Sequence, residues 1–384
     1  MRTGVFLFGG VELADAGAGP PAPTERRSTQ AEMWRATQQI LDVGVASERL
    51  GFDIFWLTEH HFQHEGYEVV PNGLLFGATL AERTSRLKIG SMFNIVPQWH
   101  PLRLAEDFAY LHNISGGRAI FGVGRGTVPR EAESLGTKIG SYDNPAAVDA
   151  DARNRELFDE AVAVIRLSYE EDHFSFRGKH FTFPPDGIPD RGGFVDRLTL
   201  IPRPAHPVEW WQAITSPPTL AAAPAKDFGG VFWLKHHEVI REWWGRYSER
   251  YEEAQGRSLD AGAKRMLVLG FRIEDSHEAA LAKVRNGHDE FWKFLGPYGW
   301  SRGYLNPDGS AVPPGLIPTL EDSISNKTWL VGTAEEVAEG IAFYREQLGG
   351  LEELCLFPNL PGDRYADTEE QLTRYAEQVR PLLA

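Results

Sequence analysis

Short apolar runs recur along this chain, and helical stretches separate them. The runs are TGVFLF, FDIFWL, LKIGSMFNIV, RAIFGVG, VEWWQAIT, GGVFWL, RMLVLGFRI and LEELCLF. Each has strand length, and most are apolar nearly throughout, as strands covered on both faces are. Between the runs the hydrophobic period changes. MWRATQQILDVGVASERLG carries apolar residues at helical spacing and stops at Gly51. PLRLAEDFAYLHNISGG opens on proline and closes on paired glycines, the asymmetry a helix prefers. TAEEVAEGIAFYREQLGG opens on Thr333 with Glu336 three residues on, a capping-box pattern. Eight strand–helix units joined by right-handed crossovers predict an α/β fold, a (β/α)8 TIM barrel. An open doubly wound sheet is the competing architecture.

Two segments exceed ordinary loop lengths. One is residues 171–207, after the fourth helix; the other is residues 296–326, before the last strand–helix unit. Both are expected as insertions in a single domain spanning 1–384, placed to cover the barrel mouth. The second contains GPYGWSRGYLNPDG, whose glycines and aromatics suit a lid.

Composition removes several classes of function. The net charge of −15 argues against a nucleic-acid partner, because phosphates demand clustered Lys and Arg. No stretch approaches the roughly 18 apolar residues of a membrane span. The start, MRTGVFLFGGVELADAG, reads as a first strand and not as a secretory signal, so a cytoplasmic protein is expected. Cys355 is the single cysteine, which rules out a disulfide within the chain; its apolar surroundings predict a buried small residue.

Barrel active sites form at the C-terminal ends of the strands, and that rule selects residues. After the second strand come Glu59, His60 and His61, with His64 shortly beyond. A helical zinc motif would need its histidines on one helix face; here a strand precedes them and neighbours diverge, so no metal site is expected. His60 is assigned acid–base chemistry, which imidazole suits at neutral pH. Glu59 either orients an imidazole or is a buried structural carboxylate. His61 is expected as a supporting or substrate-side group, and His64 as a loop residue. FGVGRG places Arg125 after strand four, as a fixed positive charge or a structural salt bridge. Thr215 and Ser216 open a helix, where they either bind an anion or cap. Trp56, Trp99, Trp210, Trp211 and Trp233 near the mouth suit a planar cofactor and a small, largely apolar substrate.

WLTEHHF, followed by NGLLFGATLAERTSRLKIGSMFNIVPQWHPLRLAEDFAYLHNISGGRAIFGVGRG, resembles the bacterial luciferase-like flavin-dependent monooxygenases. The resemblance runs from Phe52 to about Gly136 and continues more weakly through GVFWL, GTAEEVAEGI and the last strand. It implies a dimeric barrel that binds reduced FMN as cosubstrate. Oxygen would add to the flavin, and the resulting hydroperoxide would oxygenate a substrate. A separate reductase would supply the flavin. His60 matches the family's catalytic histidine, with Glu59 and His61 beside it. Arg125 matches the arginine at the flavin phosphate, and Thr215 and Ser216 fall where phosphate-binding groups occur. Met92, Phe93 and Asn94 lie where relatives can carry a non-proline cis peptide beside the isoalloxazine. Trp233 falls near an aromatic that packs on the flavin.

Departures limit what carries over. Luciferases have small residues where this chain has Met92 and Phe93, and Ile214 replaces a phosphate-region carboxylate. Light-emitting oxidation of a long-chain aldehyde is therefore not implied. A deazaflavin-dependent oxidoreductase on the same barrel is the alternative enzyme, and a non-catalytic flavin-binding barrel is the alternative of another class.

Overall fold

The structure, a computed structural model, describes residues 1–139, 147–313 and 315–383. Eight parallel strands close into a barrel: β1 (Arg2–Leu7), β2 (Ile54–Leu57), β3 (Lys88–Ser91), β4 (Ala119–Gly124), β5 (Trp210–Ala213), β6 (Gly229–Phe232), β7 (Arg265–Ile273) and β8 (Glu353–Asn359). Closure comes from two pairings. β8 lies beside β1, with Gly4 opposite Cys355, and β4 lies beside β5, with Phe121 opposite Trp210. Every expected run is a strand. The LKIGSMFNIV run is split: β3 ends at Ser91, and Asn94–Ile95 resumes as a short strand against the end of β4.

Strand periodicity sorts the side chains into two cores. Phe6, Ile54, Trp56, Ile120, Trp211, Val231, Met266, Val268, Cys355 and Phe357 fill the barrel interior. Val5, Leu7, Phe55, Leu57, Ile89, Phe121 and Val123 face outward, where helices cover them. Glycines make room for the large interior rings. A Cβ on Gly90 would enter the Trp56 ring, and one on Gly229 would enter the Trp211 ring. The barrel floor is polar: Arg2 bonds Glu353 and Glu209, and Lys88 pairs with Glu209.

The two insertions behave differently. Residues 171–207 leave the helix Ala147–Glu170 and enter β5, so they start and finish at the end opposite the mouth. Of their two hairpins, the first lies on the barrel's outer side, where Glu160 accepts the amides of Lys179, His180 and Phe181. Phe181 and Phe183 of the first hairpin reach the rim: the Phe183 ring lies 5.4 Å from His100, and Phe181 shares a cavity with Gln98, Trp99 and His100. The expectation that this segment covers the mouth is corrected: a helix-to-strand connection begins at the wrong end.

The cover over the mouth is larger than residues 296–326. The sequence reading missed a strand, Trp329–Gly332, which pairs with Gly270–Ile273 and extends the upper half of β7. The helix after it, Ala334–Gln347, packs on the outer core through Val337, Ile341 and Tyr344. The helix His277–Leu295 packs instead on the interior core, through Phe291, Trp292, Phe294 and Leu295. It lies over the mouth, with the Phe291 and Phe294 rings 5.8 and 6.1 Å from Phe8. Among the described residues, no helix is long and apolar enough to cross a membrane.

Candidate active site

The loop that leaves β2 folds back over the strand ends. The Thr58 hydroxyl donates to the Phe8 carbonyl (2.9 Å), the Val69 amide to Gly9 (2.9 Å) and the His60 amide to Val70 (3.3 Å). This turn places His60 between two acidic side chains from different parts of the chain. Its Nδ1 lies 3.0 and 3.1 Å from the two Glu131 oxygens, and its Nε2 lies 3.1 Å from Glu68 Oε1. Glu131 belongs to a short helix, Pro129–Ser134, just beyond β4. That helix is stitched to the β2 loop: Gln63 donates to Glu131 (2.6 Å), and Arg130 grips Glu65 with two bonds of 2.9 Å while meeting His64 Nδ1 at 2.9 Å.

Electrostatics follow from this packing. Burial alone would lower the His60 ring, but Glu68, Glu131 and the more distant Glu59 outweigh it and push the ring up to about 9. Burial works against ionisation of Glu131, yet His60 and Gln63 hold it below the ordinary carboxylate range. Burial pushes Glu68 up to about 8; the His60 charge pulls it down, and Glu131 adds to the rise. The two carboxylates thus favour the charged form of the ring, the form that can donate a proton.

The other expected residues ring the same mouth in separate groups. Glu59, 1% exposed, accepts the indole N–H of Trp99 at 2.8 Å and sits 3.5 Å from His61 Nε2. It therefore supports His61 and Trp99, while His60 has other partners. The Met92–Phe93 peptide is cis, and Asn94, fully buried, donates to the Gly122 carbonyl at 2.9 Å. Gly122 permits this crossing, since a Cβ there would collide with the Ser91 carbonyl oxygen. Arg125 bonds Asp151 at 2.8 Å, and its own carbonyl accepts from Asn154. Thr215 and Ser216 precede the helix Pro217–Ala225, and their amides donate to Thr219 Oγ1 at 3.2 and 3.1 Å. Two prolines open that helix, so its first turn offers fewer N–H donors than usual. Trp233 packs edge-on against Phe6 (5.3 Å) and Phe8 (5.8 Å) and meets Trp300 of the cover at 5.9 Å. His64 is a loop residue held by Arg130.

Sequence reasoning missed Glu68 and Glu131. A signal existed for each. Glu68 is a lone acid in GYEVVP, and Glu131 falls in PREAES, just past the strand-four glycines.

The mouth also carries buried oxygens without donors. Glu59 Oε2, both Glu68 oxygens, Asn94 Oδ1 and Gln98 Oε1 have no hydrogen-bond partner. Buried acceptors of this kind call for a ligand with N–H or O–H groups. A reduced flavin, with ring N–H and ribityl hydroxyls, has that chemistry, so the residues present fit it.

The model of one protein family, described as luciferase-like monooxygenase, matches residues 1–351. The chain belongs to the luciferase-like monooxygenase family. Limonene 1,2-monooxygenase of Rhodococcus erythropolis is 27% identical over 369 residues, covering 94% of this chain and 84% of that protein. An F420-dependent glucose-6-phosphate dehydrogenase of Amycolatopsis mediterranei is 26% identical over 357 residues, covering 90% and 94%. Among solved structures, the oxygenating constituent of 3,6-diketocamphane monooxygenase from Pseudomonas putida, in complex with FMN, superimposes with a TM-score of 0.75. It is 21% identical and covers 99% of this chain and 98% of that one. At that identity the likeness establishes the fold alone, a closed TIM barrel. The family assignment agrees with the resemblance carried by the EHHF and GRG segments.

Proposed function

We propose that this chain is a monooxygenase that takes reduced FMN and O2 and oxygenates a small, largely apolar organic substrate. The observation that carries the reading is His60, set with both ring nitrogens against buried carboxyl groups beneath an aromatic cover. Bound reduced flavin would supply the electrons for oxygen activation. The chain's own residues do the rest. His60 presents a positive ring and a proton at the strand-two end. Asn94, Gln98 and Glu59 would offer their unpaired oxygens to the cofactor's donors. Arg125, on exchanging its bond to Asp151, would hold the phosphate together with the Thr215 and Ser216 hydroxyls. Trp233, Trp300, Phe8 and Phe294 exclude water from the chamber. A separate reductase delivers the flavin, and the protein works as a homodimer.

A deazaflavin-dependent oxidoreductase is the second reading, favoured by the Amycolatopsis relative, whose name states F420 dependence. Anaerobic titration separates the two. Reduced FMN is expected to bind roughly tenfold or more tightly than the reduced deazaflavin coenzyme, a difference of about 1.4 kcal/mol. Tighter binding of the deazaflavin would overturn the first reading in favour of the second. Binding of FMN without substrate-dependent oxygen uptake would point to a flavin carrier.

A further inference from the structure

Glu68 is 3% exposed, and neither of its carboxylate oxygens receives a hydrogen bond. A carboxylate buried without donors is costly and must be compensated by a charge or by a proton. The positive group beside it is His60, whose Nε2 lies 3.1 Å from Glu68 Oε1. The other ring nitrogen faces Glu131. Both nitrogens of His60 are thus directed at carboxylates.

The two carboxylates are not equivalent. Glu131 is satisfied by Gln63 at 2.6 Å as well as by the ring, and this fixes it as an acceptor. Glu68 has the Thr58 hydroxyl nearby but no amide donor of this kind, so its protonation is free to change. The remaining charged and titratable neighbours do not compete for this role. Arg130 is committed to Glu65 by two bonds. Glu59 takes the Trp99 indole proton. Tyr298, from the cover, is held neutral by burial. Thr58 spends its hydroxyl proton on the Phe8 carbonyl.

We propose that Glu68 is a positioning residue for His60, fixing the ring through Nε2 and sharing one mobile proton with it. Once His60 has given up a proton, the transfer breaks the Glu68 O–H bond and forms a His60 Nε2–H bond. The neutral imidazole becomes an imidazolium again, and the carboxylic acid becomes a carboxylate. No other species takes part. The proton that His60 uses at the mouth is then replenished within the pair, under a cover that keeps water out. This rests on the reading of His60 as the proton-handling group.

The test is the ring titration of His60 in the flavin-free protein, followed by NMR with carbon-13-labelled histidine and assigned with a His60→Gln variant. In the unaltered protein the ring stays charged well past neutral pH. In Glu68→Gln its midpoint falls by about 1 unit or more, a tenfold loss of proton affinity. Glu68→Asp, which withdraws the carboxylate without removing it, gives an intermediate midpoint and serves if the Gln variant does not fold. A titration identical to the parent in either folded variant overturns the proposal. The basic limb of the pH–kcat profile should also move to lower pH in Glu68→Gln. The NMR measurement contains neither flavin nor substrate. An unchanged titration in an enzyme that oxygenates with FMN removes Glu68 alone; a shifted titration in a protein that ignores FMN removes the flavin reading alone.

Discussion

His60 owes its properties to residues eight and seventy-one positions away in the chain. A strand end and a doubled-back loop bring Glu68 to it; a helix from the next-but-one strand brings Glu131. Replacing His60 with glutamine keeps the volume and removes the charge. Turnover should fall by roughly 10²–10⁴-fold, while FMN binding stays within a few-fold, measured by steady-state kinetics and titration. Loss of binding without loss of turnover on bound enzyme would refute an acid–base role. Gly122 makes a second residue-scale case. Gly122→Ala forces a Cβ against the Ser91 carbonyl, and a backbone-on-backbone clash has little room to relax. A stability loss of about 3 kcal/mol is expected from chemical denaturation. His60 and Arg125 could be nominated as candidates from the sequence because strand-end position alone selects them. Glu68 and Glu131 could not, because no local pattern says which carboxylates a loop will bring to a ring.

The helices His277–Leu295 and Ala334–Gln347 look alike as sequences: both are amphipathic and well capped. One is a barrel helix and the other is a cover. The difference is what their apolar faces meet. The short strand Trp329–Gly332 restarts the barrel above β7 and leaves residues 274–328 free to lie across the mouth. The cover helix is pinned by Glu290, fully buried, which accepts from Arg26 (2.6 Å), the Gly17 amide (2.9 Å) and Tyr67, and pairs with Lys293 (2.8 Å). Glu290→Ala leaves Arg26 buried with Asp15 as its one carboxylate partner among the described residues, beside the Tyr67 hydroxyl. The cost should be about 3–5 kcal/mol, read as a lowered denaturation midpoint. Limited proteolysis should then cut residues 296–313 faster, and unchanged cutting would show that the cover is held by other contacts.

At the scale of the molecule, the buried charges set how stability varies with pH. His60 holds its proton more tightly folded than unfolded, so its contribution is complete below about pH 6.5 and is lost as pH rises through about 9. Glu68 has the same sign: its raised value costs stability as pH climbs from the ordinary carboxylate range through about 8. Glu290 has the opposite sign; its lowered value contributes at neutral pH and is lost in acid. Urea midpoints measured from pH 6 to 10 should decline in the parent and decline less in a His60→Gln variant; parallel slopes would refute the assignment. The sequence by itself determined the barrel and its eight strands, because hydrophobic period and turn residues are local and the crossover hand is nearly invariant. Tertiary structure alone decided which insertion covers the mouth, which helix leaves the outer ring and which carboxylates flank His60. Those outcomes depend on contacts between distant segments, where packing chooses among partners that local pattern cannot tell apart.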